Sequence, residues 1–142
     1  MTSPKCLKFK SEKIAVYGTL KQGHGNHAFY IAPALKDGRA KFLGKGKTEK
    51  KYAMYCAGIP FVVDDKEVSH IDVEVYEIFD KSVMDAIDSL EGHPYCYERR
   101  KVNVILENGE RVSAWMYFYK MDLDLSIVEL VESGNYDDVV RS

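Results

Sequence analysis

Apolar and polar positions alternate over much of this chain, and glycine marks most of the breaks. Lys13 to Tyr17 is a short apolar run that predicts a strand, stopped by Gly18 and then by Gly23 and Gly25. A brief helix is expected over Asn26 to Leu35, with Asn26 as its cap. From Arg39 to Phe79, β-branched and aromatic residues dominate. Turn residues interrupt them at Gly58, Ile59 and Pro60 and at Asp64, Asp65 and Lys66. Within that stretch Ile71, Val73 and Val75 fall on one face of a strand and Asp72, Glu74 and Tyr76 on the other, and the alternation breaks after Tyr76. Asp80 to Leu90 reads as a helix, because Asp80 suits an N-cap and Val83, Met84, Ile87 and Leu90 share one face. Gly92 stands where a left-handed C-terminal residue belongs. Two further strands are expected, Arg99 to Leu106 and Val112 to Tyr119, joined by a turn whose Asn108 and Gly109 are a strong hairpin signal. A short helix near Ser126 to Glu132, stopped by Gly134, closes the pattern. Residues 1–12 read as a loose or extended lead-in. The sum is an α+β fold, a mostly antiparallel sheet or small barrel with a few helices, in a single domain over 1–142.

Composition narrows the class without changing that picture. A chain of 142 residues, 46% apolar and 30% charged, is an ordinary globular domain large enough for its own core. No segment approaches the roughly 20 apolar residues that a membrane-crossing helix needs. Met1 to Lys13 carries lysines with no apolar run behind them, so it does not read as a signal peptide, and a cytoplasmic location is expected. Cys6, Cys56 and Cys96 are odd in number, widely spaced and without a Cys-x-x-Cys pair, which fits reduced thiols better than a disulfide scaffold. The net charge of −2 hides an asymmetry: residues 1–51 hold 12 Lys and Arg against 3 Asp and Glu, and residues 52–142 hold 8 against 19. The lysines from Lys41 to Lys51 come without arginine or a recognition-helix pattern. They predict a solvated strand face rather than a nucleic-acid partner.

Two segments carry the candidate chemistry. The first, Ile14 to His27, is a strand emptying into a glycine-rich turn. Such a turn can present successive N–H groups to a carboxylate or oxyanion, or can simply be tight. It lacks the Gly-Lys-Ser/Thr ending of a Walker loop and the glycine spacing of a dinucleotide fingerprint. The second, Leu90 to Arg100, places Glu91 at the end of the Asp80 helix and on its apolar face, four residues after Ile87 and seven after Met84. Burial and the negative end of the helix dipole both disfavour a charged carboxyl there, which predicts a raised pKa suited to acid–base work. The alternative is a glutamate that reaches water or pairs with Arg99 or Arg100. Tyr97 and Tyr119 are candidate pocket walls among ten tyrosines. His24, His27, His70 and His93 lack metal-ligand spacing, and no serine sits on a Gly-x-Ser-x-Gly elbow.

Tyr17, Gly18, Thr19, Leu20 and Lys21, with Gly23, Asn26 and His27, and then Glu91, Gly92, Tyr97 and Arg99, resemble the gamma-glutamylcyclotransferase-like family. The closest branch is that of gamma-glutamylamine cyclotransferases. The resemblance covers roughly Ile14 to Asp138 and implies a small β-barrel with helices packed around it. It also implies a cofactor-independent enzyme, a transferase or lyase by type, that releases an amine from a gamma-glutamyl amide and forms 5-oxoproline. Glu91 would be the single catalytic acid and Tyr17, Gly18, Thr19, Leu20 and Tyr97 substrate-binding residues, to which the strand pattern adds Tyr119 as a candidate. No metal, nucleic acid or membrane is expected as a partner. The rival readings are a cyclotransferase acting on gamma-glutamyl amino acids or glutathione, and a module on the same fold that binds a small acidic ligand without turning it over.

Overall fold

The computed structural model describes residues 9–120, 122, 124 and 126–140, with the backbone alone at 140. The expected lead-in lies outside the described residues as far as residue 8, and Glu12 already belongs to a strand. That strand, β1 (Glu12–Val16), lies between β4 (Ser69–Ile78), to which it runs antiparallel, and β6 (Arg111–Tyr119), to which it runs parallel. A hairpin joins β6 to β5 (Tyr97–Leu106). β5 pairs in turn with the middle of β2 (Ala40–Cys56), and β2 returns to β4, so five strands close into a mixed barrel. β2 makes two connections because its register shifts between Phe42 and Gly44 and again between Lys47 and Lys51, and such irregularities bend a strand. At the closure, a Cβ on Gly46 would lie 2.5 Å from the Ile105 carbonyl oxygen, so only glycine lets the two backbones approach. Beyond the ring, the far end of β2 pairs with β3 (Pro60–Val63) and β7 (Glu129–Leu130).

Strand alternation divides the apolar residues between two cores. Ala15, Val73, Val75, Val104, Met116 and Phe118 fill the barrel. Ile14, Val16, Tyr76, Ile78 and Tyr117 point outward and are covered by α2 (Ala32–Lys36) and α3 (Lys81–Glu91), whose Ala34, Val83, Met84 and Ile87 complete the outer cluster. The alternation of β4 therefore does not end at Tyr76. It runs on to Ile78, and the outer position is apolar because a helix roofs it.

The expected helix over Asn26 to Leu35 is two helices, α1 (Gly25–Tyr30) and α2, separated at Ile31. Pro33 has no N–H to donate back to residue 29 and its ring crowds that turn, which breaks the run. Asn26 lies inside α1 rather than capping it, and His24 holds the N-cap position. The expected helix near Ser126 to Glu132 is instead a turn followed by β7. The Val131 N–H donates to the Met54 carbonyl (2.7 Å), and its side chain joins the barrel core. Capture by the free edge of β2 outweighs local helix preference there. A last short helix, α4 (Tyr136–Val140), follows Gly134. Among the described residues no helix is long and apolar enough to cross a membrane.

Ile87 is completely buried and anchors α3 to the outside of the barrel. Ile87→Ala should destabilise the protein by about 2–5 kcal/mol. Urea unfolding with an unchanged m-value is the check, and a loss below about 1 kcal/mol would mean that α3 is not held by this contact.

Candidate active site

One cleft of about 200 Å³ opens where the end of β1, the end of α3 and the start of β5 meet. On one wall is the loop after β1. Gly18 can pass there because it lacks a side chain: a Cβ would come within 2.7 Å of Pro60 Cγ, leaving no space for even a methyl group. The loop is then held by its carbonyls. Gly18 O accepts from the Lys21 N–H (2.9 Å), Thr19 O from the His27 N–H (3.1 Å), and Leu20 O from the buried His27 ring at Nδ1 (3.0 Å). A carbonyl can only accept, so His27 Nδ1 carries the proton. Asn26 Nδ2 donates to Thr19 Oγ1 at 2.7 Å, fixing the side chain as well. With the carbonyls engaged, the N–H groups of Gly18, Thr19 and Leu20 find no partner among the described residues, and all three residues line the cleft. Successive unpartnered N–H groups form a nest for an anion.

Glu91 lies on the facing wall. α3 begins with the Asp80 carboxylate accepting from the Ser82 N–H and ends at Gly92, which takes a left-handed conformation (φ 67°). Val83, Met84 and Ile87 lock the helix face, which commits Glu91 to the cleft. Burial, followed by the Asp88 carboxylate one turn earlier, pushes the Glu91 carboxyl up to about 7. Neither neighbouring arginine relieves it. Arg99 donates from Nε to Asp88 at 3.0 Å and stacks its guanidinium 4.5 Å from the centre of the Trp115 ring. Arg100 pairs with Asp64 and Glu98, each at 3.5 Å. Among the described residues, nothing hydrogen-bonds the Glu91 carboxyl.

Tyrosines make up much of the remaining wall. Tyr17 is buried and donates to the Tyr117 carbonyl at 2.8 Å, Tyr117 donates to Asp88, and Tyr97 donates to the Pro60 carbonyl at 3.3 Å. Burial pushes all three hydroxyls above the usual tyrosine range, and proximity to Glu91 adds to it, so they remain neutral walls and donors. The fold thus brings Tyr17, Gly18, Thr19, Leu20, Tyr97 and Glu91 to one cleft, whereas Tyr119 stands behind it, its ring 5.2 Å from that of Tyr97 and 4.7 Å from that of Phe61. Sequence reasoning missed Tyr117, which reaches the cleft from β6, and Asp88, which sets the field at Glu91. The signal for Asp88 was present, since residues three apart share a helix face. The apolar wall of Ile59 and Pro60 also went unnoticed, because a turn between strands gives no sign of what it faces.

Among the described residues no cluster of His, Cys, Asp and Glu is placed to hold a metal ion. The four histidines have partners of their own: Asp137 for His24, Leu20 O for His27, Thr48 O for His70, and the Arg99 N–H for His93. Cys56 is buried and Cys96 exposed, both as free thiols.

Residues 14–138 match the family model described as gamma-glutamyl cyclotransferase, AIG2-like. A Methanocaldococcus jannaschii protein named "Putative gamma-glutamylcyclotransferase" is 48% identical over 127 residues, spanning 89% of this chain and 97% of that one. A gamma-glutamylaminecyclotransferase from Rattus norvegicus is 32% identical over 115 residues, 73% of this chain and 75% of its own. In structure the chain is similar to an AIG2-like protein from Mus musculus, with a TM-score of 0.74 at 27% identity over 91% of this chain and 90% of that one.

The raised carboxyl has a consequence for stability. Glu91 binds its proton more tightly folded than unfolded, where 4.5 is the ordinary value, so its ionisation works against the fold. That penalty is absent below about pH 4.5, grows between pH 4.5 and 7, and is complete above. Glu91→Gln should therefore be more stable than the parent at pH 8, by at most roughly 3 kcal/mol, with the gap closing as pH falls to 5. Urea titrations at the two pH values measure this. An equal difference at both would mean the carboxyl is solvated.

Proposed function

The chain belongs to the gamma-glutamyl cyclotransferase, AIG2-like family, and we propose that it releases an amine from a gamma-glutamyl amide by closing the glutamyl part to 5-oxoproline. One observation carries this reading: a nest of unpartnered N–H groups and a carboxyl of pKa about 7 share a single small cleft. The nest of Gly18, Thr19 and Leu20 takes the substrate's α-carboxylate and so orients the glutamyl chain. Glu91 accepts a proton from the α-ammonium group. The freed amine attacks the γ-carbonyl carbon, forming the ring C–N bond. Glu91 then returns the proton to the departing nitrogen as the original amide C–N bond breaks, and the ring nitrogen's second proton passes by the same carboxylate to the released amine, which leaves as an ammonium. Every step is a proton transfer or a bond exchange within the substrate, and the protein ends as it began.

The raised pKa matters at the first of these steps. An α-ammonium group near pKa ~8 is about one unit above Glu91, so the transfer is uphill by roughly 1.4 kcal/mol. An ordinary carboxylate would face a gap of roughly 5 kcal/mol. Positioning supplies much of the remainder, since the nucleophile and the carbonyl belong to one molecule.

The leaving group is proposed to be an amine without a carboxylate beside its nitrogen. Among the described residues lining the cleft, Glu91 is the only carboxylate or ammonium-type side chain, and none is a lysine or arginine. Ile59, Pro60 and Leu90 give it apolar surface. A gamma-glutamyl amino acid or glutathione would bring a second carboxylate next to the scissile bond with no counter-charge waiting, an unfavourable burial. The protein's partner is in this reading a small gamma-glutamyl amide.

Incubation with gamma-glutamyl-n-butylamide, ε-(gamma-glutamyl)lysine, gamma-glutamylalanine and glutathione, read as 5-oxoproline by mass spectrometry, tests this directly. The two amines should be turned over at least tenfold faster, as kcat/KM, than the other two. Glu91→Gln should fold, bind and lose activity by more than about 100-fold. For the parent, kcat/KM should fall about tenfold per pH unit below pH 7, as Glu91 takes up its proton. Recovery of every compound intact would leave a binding module on this fold. Preference for glutathione would move the substrate class.

A further inference from the structure

We infer that the C-terminal segment around α4 is a strap that positions both loops of the cleft, with Asp137 and Tyr136 as the positioning residues. This rests on the proposed function only in that the cleft binds a carboxylate through the nest. Asp137 Oδ2 lies 2.8 Å from Lys21 Nζ and Oδ1 lies 2.8 Å from His24 Nε2. Both partners belong to the turn that immediately follows the nest. Tyr136, the preceding residue, is buried, lays its ring 5.4 Å from that of His24, and donates from its hydroxyl to the Gly58 carbonyl (3.2 Å). Gly58 opens the turn that carries Ile59 and Pro60 into the cleft. Two adjacent residues thus reach two loops that line the cleft and touch one another where Pro60 lies against Gly18.

The charges make the arrangement more than packing. Lys21 is only 5% exposed, and a buried ammonium group must be paired. Its partners among the described residues are Asp137 and, at 3.5 Å, Asn135 Oδ1. Burial works to raise the Asp137 carboxyl, but the hydrogen bonds from Lys21 and His24 outweigh it and hold the group below the usual aspartate range. The carboxylate is pre-set by Asn135, whose Oδ1 accepts from the Asp137 N–H at 2.9 Å, and the segment is docked on β4 by the Asp72 N–H donating to the Gly134 carbonyl at 3.0 Å. Lys21 and Asp137 look onto a separate hollow of about 510 Å³, so neither touches the substrate. A nest of three N–H groups with no partner among the described residues would relax by peptide rotation if its far end were free. The ion pair removes that freedom.

The test compares the parent with Asp137→Asn, Tyr136→Phe and the double variant Lys21→Met with Asp137→Asn, all in the full chain. With gamma-glutamyl-n-butylamide, Asp137→Asn should raise KM at least tenfold, leaving kcat and the bend of kcat/KM near pH 7 within twofold. Tyr136→Phe should raise KM by a smaller factor. The double variant removes the unpaired ammonium as well, so its Tm should recover while its KM stays high, which separates positioning from stability. Amide hydrogen exchange without substrate gives an independent reading. The Lys21 and His27 amides, which hold the nest carbonyls, should exchange at least tenfold faster in Asp137→Asn, with Val104 in the barrel unchanged. An unaltered KM together with unaltered exchange would overturn the strap. Faster exchange in a protein that turns nothing over would uphold the strap and sink the cyclotransferase reading instead.

Discussion

The fate of three carbonyl groups decides what this cleft can do. A peptide unit joins one residue's C=O to the next residue's N–H and points them in opposite directions, so fixing the Gly18 and Thr19 carbonyls aims the N–H groups of Thr19 and Leu20. Lys21 and His27 take the carbonyls of Gly18, Thr19 and Leu20, and His27 does so twice, with its backbone N–H and with its ring. The N–H groups of Gly18, Thr19 and Leu20 are partly positive and have no partner among the described residues. An unsatisfied buried donor costs about 1–3 kcal/mol, so a loop left to itself would turn its peptides to recover hydrogen bonds. It is prevented by being fixed at several points: β1 before it, α1 after it, the Pro60 side chain against Gly18, and Asp137 on Lys21 and His24. The nest is stored structure, and the rest of the fold supplies the restraint.

A second choice, at the opposite wall, sets the chemistry of Glu91. Asp88 and Glu91 lie three apart on α3, and two arginines follow at the start of β5. Had Arg99 gone to Glu91, a cation within hydrogen-bond reach would have lowered its pKa by one to three units, leaving a weak base. Arg99 goes instead to Asp88, which also accepts from Tyr117, and the guanidinium is held flat over Trp115. Arg99 is thereby spent on Asp88, and the Asp88 carboxylate adds to burial in raising Glu91, which has no hydrogen-bond partner among the described residues. The ion pair that looks purely structural is what leaves Glu91 without a cation of its own.

The barrel and the cleft were legible in the sequence to different depths. The Asp80 helix could be read from its cap to its glycine stop because each of its signals is local, and local signals survive tertiary packing. The β1 strand, the glycine turn and the Asn108–Gly109 hairpin were readable for the same reason. What could not be read depends on partners far along the chain. Val128 to Val131 carries helix-compatible residues, and only the free edge of β2, more than seventy residues earlier, makes a strand of it. The extension of β4 to Ile78 is intelligible once α3 is known to roof it. Pro33 was visible in the sequence, and its missing N–H should have divided the helix over 26–35. In the cleft, Glu91 and the Tyr17 to Leu20 turn stand out as motifs, whereas Tyr117, Pro60 and Asp137 are ordinary residues that matter only because the barrel delivers them.

The contents of the cleft also bear on where a nucleophile could come from. Among the described residues its lining includes no serine, cysteine or lysine, and the one aliphatic hydroxyl there, that of Thr19, accepts from Asn26 with no base beside it. The tyrosine hydroxyls are pushed above the range in which they could lose a proton near neutrality. Among the described lining residues Glu91 is the one group pushed to about 7, and a single carboxyl can move a proton between two nitrogens without itself bonding to carbon. A reaction that needs an external nucleophile would ask this cleft for a second functional group to hold and activate it. A substrate that carries its own amine five atoms from the carbonyl carbon it attacks, counting both ends, asks only to be held by its carboxylate and deprotonated at the neighbouring amine. In the proposed reading the nest and Glu91 serve those two functions, and the economy of the cleft is the physical argument for cyclisation over hydrolysis.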